Sequence, residues 1–441
     1  MIRVRIAPSP TGYLHLGNAR TAIFNWLFAK NKDGMFIVRI DDTDIERSTK
    51  NFEKDILDNL KWLGLEWDEG IEVGGPHGSY RQSERFDRYK QVAEELVEKD
   101  LAYIDDGAIK FRVEKEGAVA FTDLVRGEMV FNKNDIGDFV IMRSNGSPTY
   151  HLASTVDDID YEVTHVARGE DILPSTPKHI LITESLSKPL PEYCHLPLLF
   201  GPDGKRLSKR HGATSVNEYK NKGLLSGALF NYMCLLGWSP EKDIEVFSHD
   251  YAISKFNFED VLPSAAIFDE NKLMWMNGLY IRELKQDLFI STCINELSLK
   301  VNRNLYDTEK ERLKILLPSI QERIESLNDI LPLVNFVLDE PFMVSEDHWK
   351  DVFSENTEQY LIEVKEALIN IDSFEEGTIE KTMRDLLEKC GIKAKEGFQS
   401  VRVAVTGSKI SPPLFTSMFS LGRGGCLARI EERIEILQSN N

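Results

Sequence analysis

Met1-Ile-Arg-Val-Arg-Ile-Ala-Pro-Ser-Pro-Thr-Gly-Tyr-Leu-His-Leu-Gly-Asn-Ala-Arg20 opens the chain and decides how it folds. Ile2, Val4 and Ile6 alternate with Arg3 and Arg5, the period of a strand. Pro8, Pro10 and Gly12 interrupt it. Leu16, Ala19, Ile23 and Leu27 then recur at helical spacing, which predicts a helix from near His15 towards Lys30. A strand, a tight turn and a helix N-terminus form a ready phosphate cradle, because the first turn has free N–H groups and partial positive charge. Gly17 removes a side chain where a ligand would approach, and His15 adds a donor. Neither G-x-G-x-x-G nor G-x-x-x-x-G-K-[ST] is present, so this is not a dinucleotide fingerprint or a P-loop. Taken alone, the His and Gly also suit an ordinary strand–turn–helix.

The next segment, Met35-Phe-Ile-Val-Arg-Ile40, is nearly all apolar, as a strand covered on both faces is. Strand, helix, strand at this spacing is a right-handed parallel crossover, and such sheets bind ligands at the carboxyl ends of their strands. Arg5 to Ser9 and Asp41 are therefore expected at one crevice. An α-amino acid needs that combination, a carboxylate for its ammonium and a cation for its carboxylate. Asp41-Asp-Thr-Asp44 also suits a helix cap before Ile45-Glu-Arg-Ser48. Helices are expected over 49–63 and 83–99, and short strands over 101–152. Pro148 to Ser154 is expected to return the chain to the main sheet, continuing through Thr155-Val-Asp-Asp158. Thr176 is expected to cap a helix with Pro177 at its first position. After the strand His195–Phe200 and the turn Gly201–Gly204 comes Lys205-Arg-Leu-Ser-Lys-Arg-His-Gly212, a cationic loop suited to charge developing on a phosphate and its leaving pyrophosphate. One helix is expected over 219–236. From about Gln286 the pattern is helix after helix: 313–338, 358–369, 378–389, 413–421 and 427–437.

Composition sets the outer bounds. The chain has 441 residues, room for about two to four domains. No apolar run approaches the roughly 20 residues of a membrane span, and no signal-peptide pattern opens the sequence. The five cysteines, at 194, 234, 293, 390 and 426, form no C-x-x-C pair, which fits a reducing compartment and argues against a disulfide framework or zinc site. The net charge of −19 opposes indiscriminate nucleic-acid binding but allows a specific RNA partner at a clustered basic patch, of which 205–211 is the clearest.

Pro8 to Asn18 resembles the HIGH signature of class I aminoacyl-tRNA synthetases, in the form of the glutamyl/glutaminyl branch. Arg39–Asp44, Lys61-Trp-Leu-Gly-Leu65 and Tyr80–Arg85 are similar to glutamyl-tRNA synthetase segments in that family's order and spacing. Arg206-Leu-Ser-Lys-Arg210 resembles the KMSKS loop with Lys209 as its lysine, and Val401-Arg-Val-Ala-Val-Thr-Gly407 resembles the family's C-terminal signature. The resemblance spans essentially the whole chain. It implies an α/β protein with a Rossmann-like parallel-sheet catalytic domain (1–80 and 153–205) and a short inserted α+β acceptor-end-binding domain (81–152). A KMSKS-like loop with a helical stem-contact domain (206–285) and an all-helical anticodon-binding region (286–441) complete it. Helices in the last region point to the bacterial type, since a glutaminyl enzyme would carry β-barrels there.

The same resemblance implies ligation of L-glutamate to tRNA(Glu) through a glutamyl-adenylate, with ATP and Mg²⁺. It assigns ATP to Pro8, His15, Gly17, Asn18, Arg206, Ser208 and Lys209, with His15 and Lys209 catalytic, and glutamate to Arg5, Ser9, Asp41, Tyr150, Ser154 and Arg168. Two positions depart from the family: Asp41, commonly Glu, and Ser154, where relatives carry Asn. No zinc is expected, because 101–152 contains no cysteine. A cytoplasmic monomer without membrane contact is expected. Alternatives are an enzyme that also or mainly glutamylates tRNA(Gln), and a catalytically inactive tRNA-binding paralogue. A small tRNA-modifying paralogue would lack the helical C-terminal region.

Overall fold

Strand β1 (Arg3–Ile6) leads through the proline turn into helix α1 (Leu16–Asn31), which returns the chain to β2 (Met35–Val38). β1 and β2 pair in parallel with Arg5 opposite Ile37, and β3 (Glu69–Gly70) continues the sheet in parallel beside β2. The computed structural model describes residues 1–208, 212, 214–338, 342–354 and 356–439. Every residue of α1 from Ala19 to Ala29 is buried. A helix covered on all sides belongs to the interior, so the opening segment is the centre of its unit. Helix α2 (Lys50–Trp62) begins at Thr49, whose Oγ1 accepts the Phe52 N–H at 3.2 Å.

Helix α3 (Phe86–Glu98) precedes β4 (Ala102–Asp105), β5 (Ala108–Phe111), β6 (Ala118–Asp123), β7 (Gly127–Asn132), the short α4 (Lys133–Ile136) and β8 (Phe139–Met142). β4, β5 and β8 form one antiparallel sheet. The β6–β7 hairpin instead joins β9 (His165–Gly169) and β10 (Glu192–Leu196) in the order β7-β6-β10-β9, with β10 parallel to both β6 and β9. Thr164 sets β9 beside β1: its N–H donates to Arg3 O and its Oγ1 accepts the Arg3 N–H, each at 2.9 Å. Helix α5 (Tyr150–Asp160) and α6 (Thr176–Ser185) flank this sheet. Tyr89, Leu96, Phe111, Phe139, Leu152, Val156, Ile180 and Tyr193 form one apolar core that fastens the inserted strands to the main sheet.

The structure corrects four expectations. Residues 150–160 form a helix, not a return to the sheet; Leu152, Ala153 and Val156 give it a buried face. Thr176 is not a cap, because Ser175 holds that position without a side-chain bond and the Thr176 hydroxyl is taken by Arg168. The helix expected over 219–236 is two, α7 (Val216–Asn221) and α8 (Ser226–Leu235), separated at Gly223, whose φ of +78° is left-handed. The helix expected over 313–338 ends at Leu316, before Pro318, and resumes only over Ile330–Val334.

Contacts divide the chain into Met1–Met276 and Asn277–Asn441. In the second unit, helices Thr357–Ile369, Glu376–Cys390, Ala394–Thr406 and Leu414–Ser439 enclose a core that includes Leu361, Val364, Met383, Val401, Met418 and Ile430. The last helix is kinked at Gly422. Among the described residues, no helix is long and apolar enough to cross a membrane.

Candidate active site

The carboxyl ends of β1, β2, β9 and β10 open onto one crevice of about 700 Å³. Arg5, Pro8, Ser9, His15, Gly17, Asn18, Asp41, Tyr150, Arg168 and Arg206 all line it. Ser154 is fully buried and does not line the crevice; its Oγ accepts a hydrogen bond from Arg39 Nη2 at 3.2 Å. Ser208 is half-buried and is not part of the lining. Lys209 lies outside the described residues.

At the α1 end of the crevice, His15 is the N-cap of α1 and its Nδ1 accepts the Gly17 N–H at 3.2 Å. With Nδ1 used as acceptor, the ring's proton resides on Nε2. Burial, then the charge of Arg206, lowers the His15 pKa below 6.5, so the ring is neutral at pH 7. A Cβ built on Gly17 would meet only His15 Nδ1, at 3.6 Å. The space beside Gly17 therefore belongs to the crevice rather than to neighbouring side chains. Arg206 follows the turn closed by the Gly201 N–H on Lys205 O and reaches Asp171 Oδ2 at 3.1 Å.

Beneath the crevice lies a buried ionic network. Arg39 is fully buried and grips Asp41 with two bonds, Nε to Oδ1 at 2.6 Å and Nη2 to Oδ2 at 3.1 Å. It also donates to Asp158 Oδ1 at 2.8 Å and stands 3.5 Å from Asp157. Arg5 donates to both Asp158 oxygens, at 3.0 and 3.1 Å. Burial raises the Asp41 pKa against the pull of Arg39. Burial also pushes Asp157 up to about 6, whereas Arg5 and Arg39 overcome the burial of Asp158 and hold its pKa low.

Arg168 is held differently. Its Nε donates to His195 Nε2 at 3.2 Å, its Nη1 to Tyr150 OH and His179 Nδ1, each at 3.2 Å, and its Nη2 to Thr176 Oγ1 at 2.8 Å. Among the described residues, no carboxylate lies within salt-bridge distance of it. Glu170, two residues away, pairs with Arg126 instead. Burial and the charge of Arg168 lower the His179 pKa, and burial lowers that of His195 against the pull of Asp123, so both imidazoles are neutral acceptors. The cation thus keeps its charge for whatever enters the crevice.

Sequence reasoning missed Arg39, Asp157, Asp158, His179 and His195. One signal was present: Tyr150, Ser154 and Asp158 recur every four residues, a single helical face once 150–160 is read as a helix. The histidines carry no comparable local signal, since strand register brings them to Arg168.

A parallel sheet with a His-x-Gly helix start, a charged crevice at its carboxyl edge and basic residues after the last sheet strand defines a class I aminoacyl-tRNA synthetase core. Residues 1–108 and 105–275 match the family of class I tRNA synthetases (E and Q), catalytic domain, and residues 284–434 match an anticodon binding domain. The chain belongs to this family of glutamate- and glutamine-type synthetases. It is 40% identical to a glutamate–tRNA ligase of Dehalococcoides mccartyi, covering 97% of this chain and 96% of that one. It is 39% identical to glutamate–tRNA ligase 2 of Thermosipho melanesiensis, covering 99% of each. A solved glutamate tRNA ligase of Elizabethkingia meningosepticum, in complex with its amino acid, superimposes with a TM-score of 0.85 at 29% identity over 98% of this chain and 99% of that one.

Proposed function

We infer that the chain is a glutamate–tRNA ligase that joins L-glutamate to the 3′ end of tRNA(Glu) through a glutamyl-adenylate. The observation that carries this is Arg168, a buried guanidinium held by two imidazoles and two hydroxyls, with no carboxylate partner among the described residues. Such a cation at a crevice wall selects a carboxylate, and glutamate has two. Asp41 lines the same crevice and supplies the negative charge an ammonium needs.

A glutamate carboxylate oxygen attacks the α-phosphate of ATP, and pyrophosphate leaves. The terminal ribose 2′-hydroxyl of the tRNA then attacks the adenylate carbonyl, and AMP leaves. Catalysis is positioning and charge stabilisation, with no covalent enzyme intermediate. Pro8, His15, Gly17 and Asn18 receive the nucleotide at the start of α1. Arg206, Ser208 and Lys209 meet the charge of the departing pyrophosphate, and Mg²⁺ enters with ATP as part of the substrate. Arg5, Ser9, Asp41, Tyr150 and Arg168 receive glutamate, with Ser154 acting beneath them through Arg39. Residues 81–152 grip the acceptor end, 206–285 contact the stem and 286–441 bind the anticodon. The enzyme works as a cytoplasmic monomer without zinc.

The test is charging of separate tRNA(Glu) and tRNA(Gln) transcripts with labelled glutamate, ATP and Mg²⁺. Charging of tRNA(Glu) alone is the expected result. Charging of tRNA(Gln) as well would make the enzyme non-discriminating, and charging of neither by folded protein would overturn the reading.

A further inference from the structure

We propose that Asp123 is a positioning residue for glutamate binding: by fixing the tautomer of His195 it keeps an acceptor facing Arg168, and so keeps that guanidinium aimed into the crevice. The inference rests on the reading of Arg168 as the partner of a glutamate carboxylate.

Strand register builds the arrangement. β10 places Tyr193 opposite Asp123 of β6 and His195 opposite Arg168 of β9. Asp123 is 1% exposed and His195 is fully buried, so their bonds lie away from bulk solvent. The two sides of the Asp123 carboxylate are occupied differently. Oδ1 accepts the backbone N–H groups of Val125 and Arg126, at 3.0 and 2.9 Å, while the His195 N–H is shared between the two oxygens, 3.2 Å from Oδ1 and 3.1 Å from Oδ2. Oδ2 stands 2.6 Å from His195 Nδ1. A carboxylate only accepts, so Nδ1 carries the hydrogen and Nε2 is left as a lone pair. That lone pair lies 3.2 Å from Arg168 Nε and 3.0 Å from Thr176 Oγ1. The other tautomer would point an N–H at the Arg168 N–H. Asp123 belongs to the 81–152 segment, so the insertion supplies part of the support of the amino-acid pocket and is not only an attachment to it.

Asp123→Asn tests this with a defined outcome. The Val125 and Arg126 N–H groups hold the amide oxygen on the Oδ1 side, which turns the amide NH₂ towards His195 Nδ1. Nδ1 must then accept, and the ring proton moves to Nε2. The expected result is a glutamate KM raised at least about tenfold, the size expected for losing a hydrogen bond to a charged group, with the ATP KM changed less than about twofold. A His195→Gln background has no ring tautomer for position 123 to set. There, Asp123→Asn should no longer raise the glutamate KM. An equal rise in both backgrounds would mean that Asp123 merely holds its turn, and the proposal would fall. If Asp123→Asn left the glutamate KM unchanged while Arg168→Ala raised it, the proposal would fall and the site reading would stand. If Arg168→Ala also left it unchanged, the reading of Arg168 itself would fall. The ¹⁵N shifts of His195 in the wild-type enzyme provide a check that needs no variant: hydrogen on Nδ1 is expected, and hydrogen on Nε2 would overturn the proposal.

Discussion

His15, proposed to receive the nucleotide, also holds the start of α1. Its Nδ1 caps α1 through the Gly17 N–H, and that bond requires the neutral ring. Protonation would place a hydrogen on Nδ1, break the cap and open the first turn where the nucleotide is expected to sit. The His15 pKa lies below 6.5 because burial, and then Arg206, disfavour the charged form. The neutral state is therefore complete at pH 7 and is lost only as pH falls through the lowered value. We predict that kcat/KM for ATP in adenylate formation is flat above about pH 6.5 and declines below it. A glutamine at position 15, which can accept from the same N–H without titrating, should flatten the decline; an unchanged acid limb in His15→Gln would assign that limb to another group. Lys209 poses the complementary case, since its role rests on the resemblance of Arg206–Arg210 to the KMSKS loop. Lys209→Ala should lower adenylate formation by at least about a hundredfold, the scale of removing one transition-state charge contact, while tRNA affinity stays near wild type. Wild-type charging by that variant would remove the loop from the mechanism.

At the scale of elements, the floor of the crevice is where β1, β2 and α5 are pinned together by charge. Arg39 at the end of β2 meets Asp41 of the following turn and Asp157 and Asp158 of α5, and Arg5 of β1 shares Asp158. Replacing Arg39 by Met keeps much of its volume but leaves these buried carboxylates short of a cation. Such a loss costs about 3–5 kcal/mol, so Arg39→Met should lower unfolding stability by that order in urea and abolish glutamate binding. A stability change below about 1 kcal/mol would mean that the carboxylates simply take up protons. The same network shows what was legible in the sequence. The strand–turn–helix start was legible, because alternation, prolines and helical spacing all act within thirty residues. Arg5 and Asp41 were legible as charged residues at strand ends, and Arg168 only through the family resemblance. α5 was not, because Thr155-Val-Asp-Asp158 reads locally as strand while its helical state is decided by packing of Leu152, Ala153 and Val156 into the core. The Asp123–His195–Arg168 chain was invisible, since it depends on the register of β6, β10 and β9 across distant parts of the chain.

Over the whole molecule, histidine is distributed very unevenly: eight of the nine lie at or before His249, and His348 is the sole one after residue 276. In the first unit, burial lowers the pKa of His15, His151, His165, His179, His195 and His249, that of His151 to about 4. A histidine whose folded pKa lies below its unfolded value of about 6.5 contributes full stability above pH 6.5, and that contribution is lost as pH falls towards the folded value. Asp123 and Asp158, with carboxyl pKa values held low by their partners, lose stability in the same direction further down. Asp41 and Asp157 act in the opposite sense, since their raised values favour the protonated form in the fold, but they are two groups against six imidazoles. The unit Met1–Met276 should therefore be the acid-labile one. Hydrogen exchange read by mass spectrometry between pH 7 and pH 4, corrected for the intrinsic pH dependence of exchange, should show peptides of 1–276 losing protection before those of 277–441. The order matters because it separates buried imidazoles from general acid expansion. Simultaneous loss would point to the overall charge of the chain, and earlier loss in 277–441 would contradict the linkage argument outright.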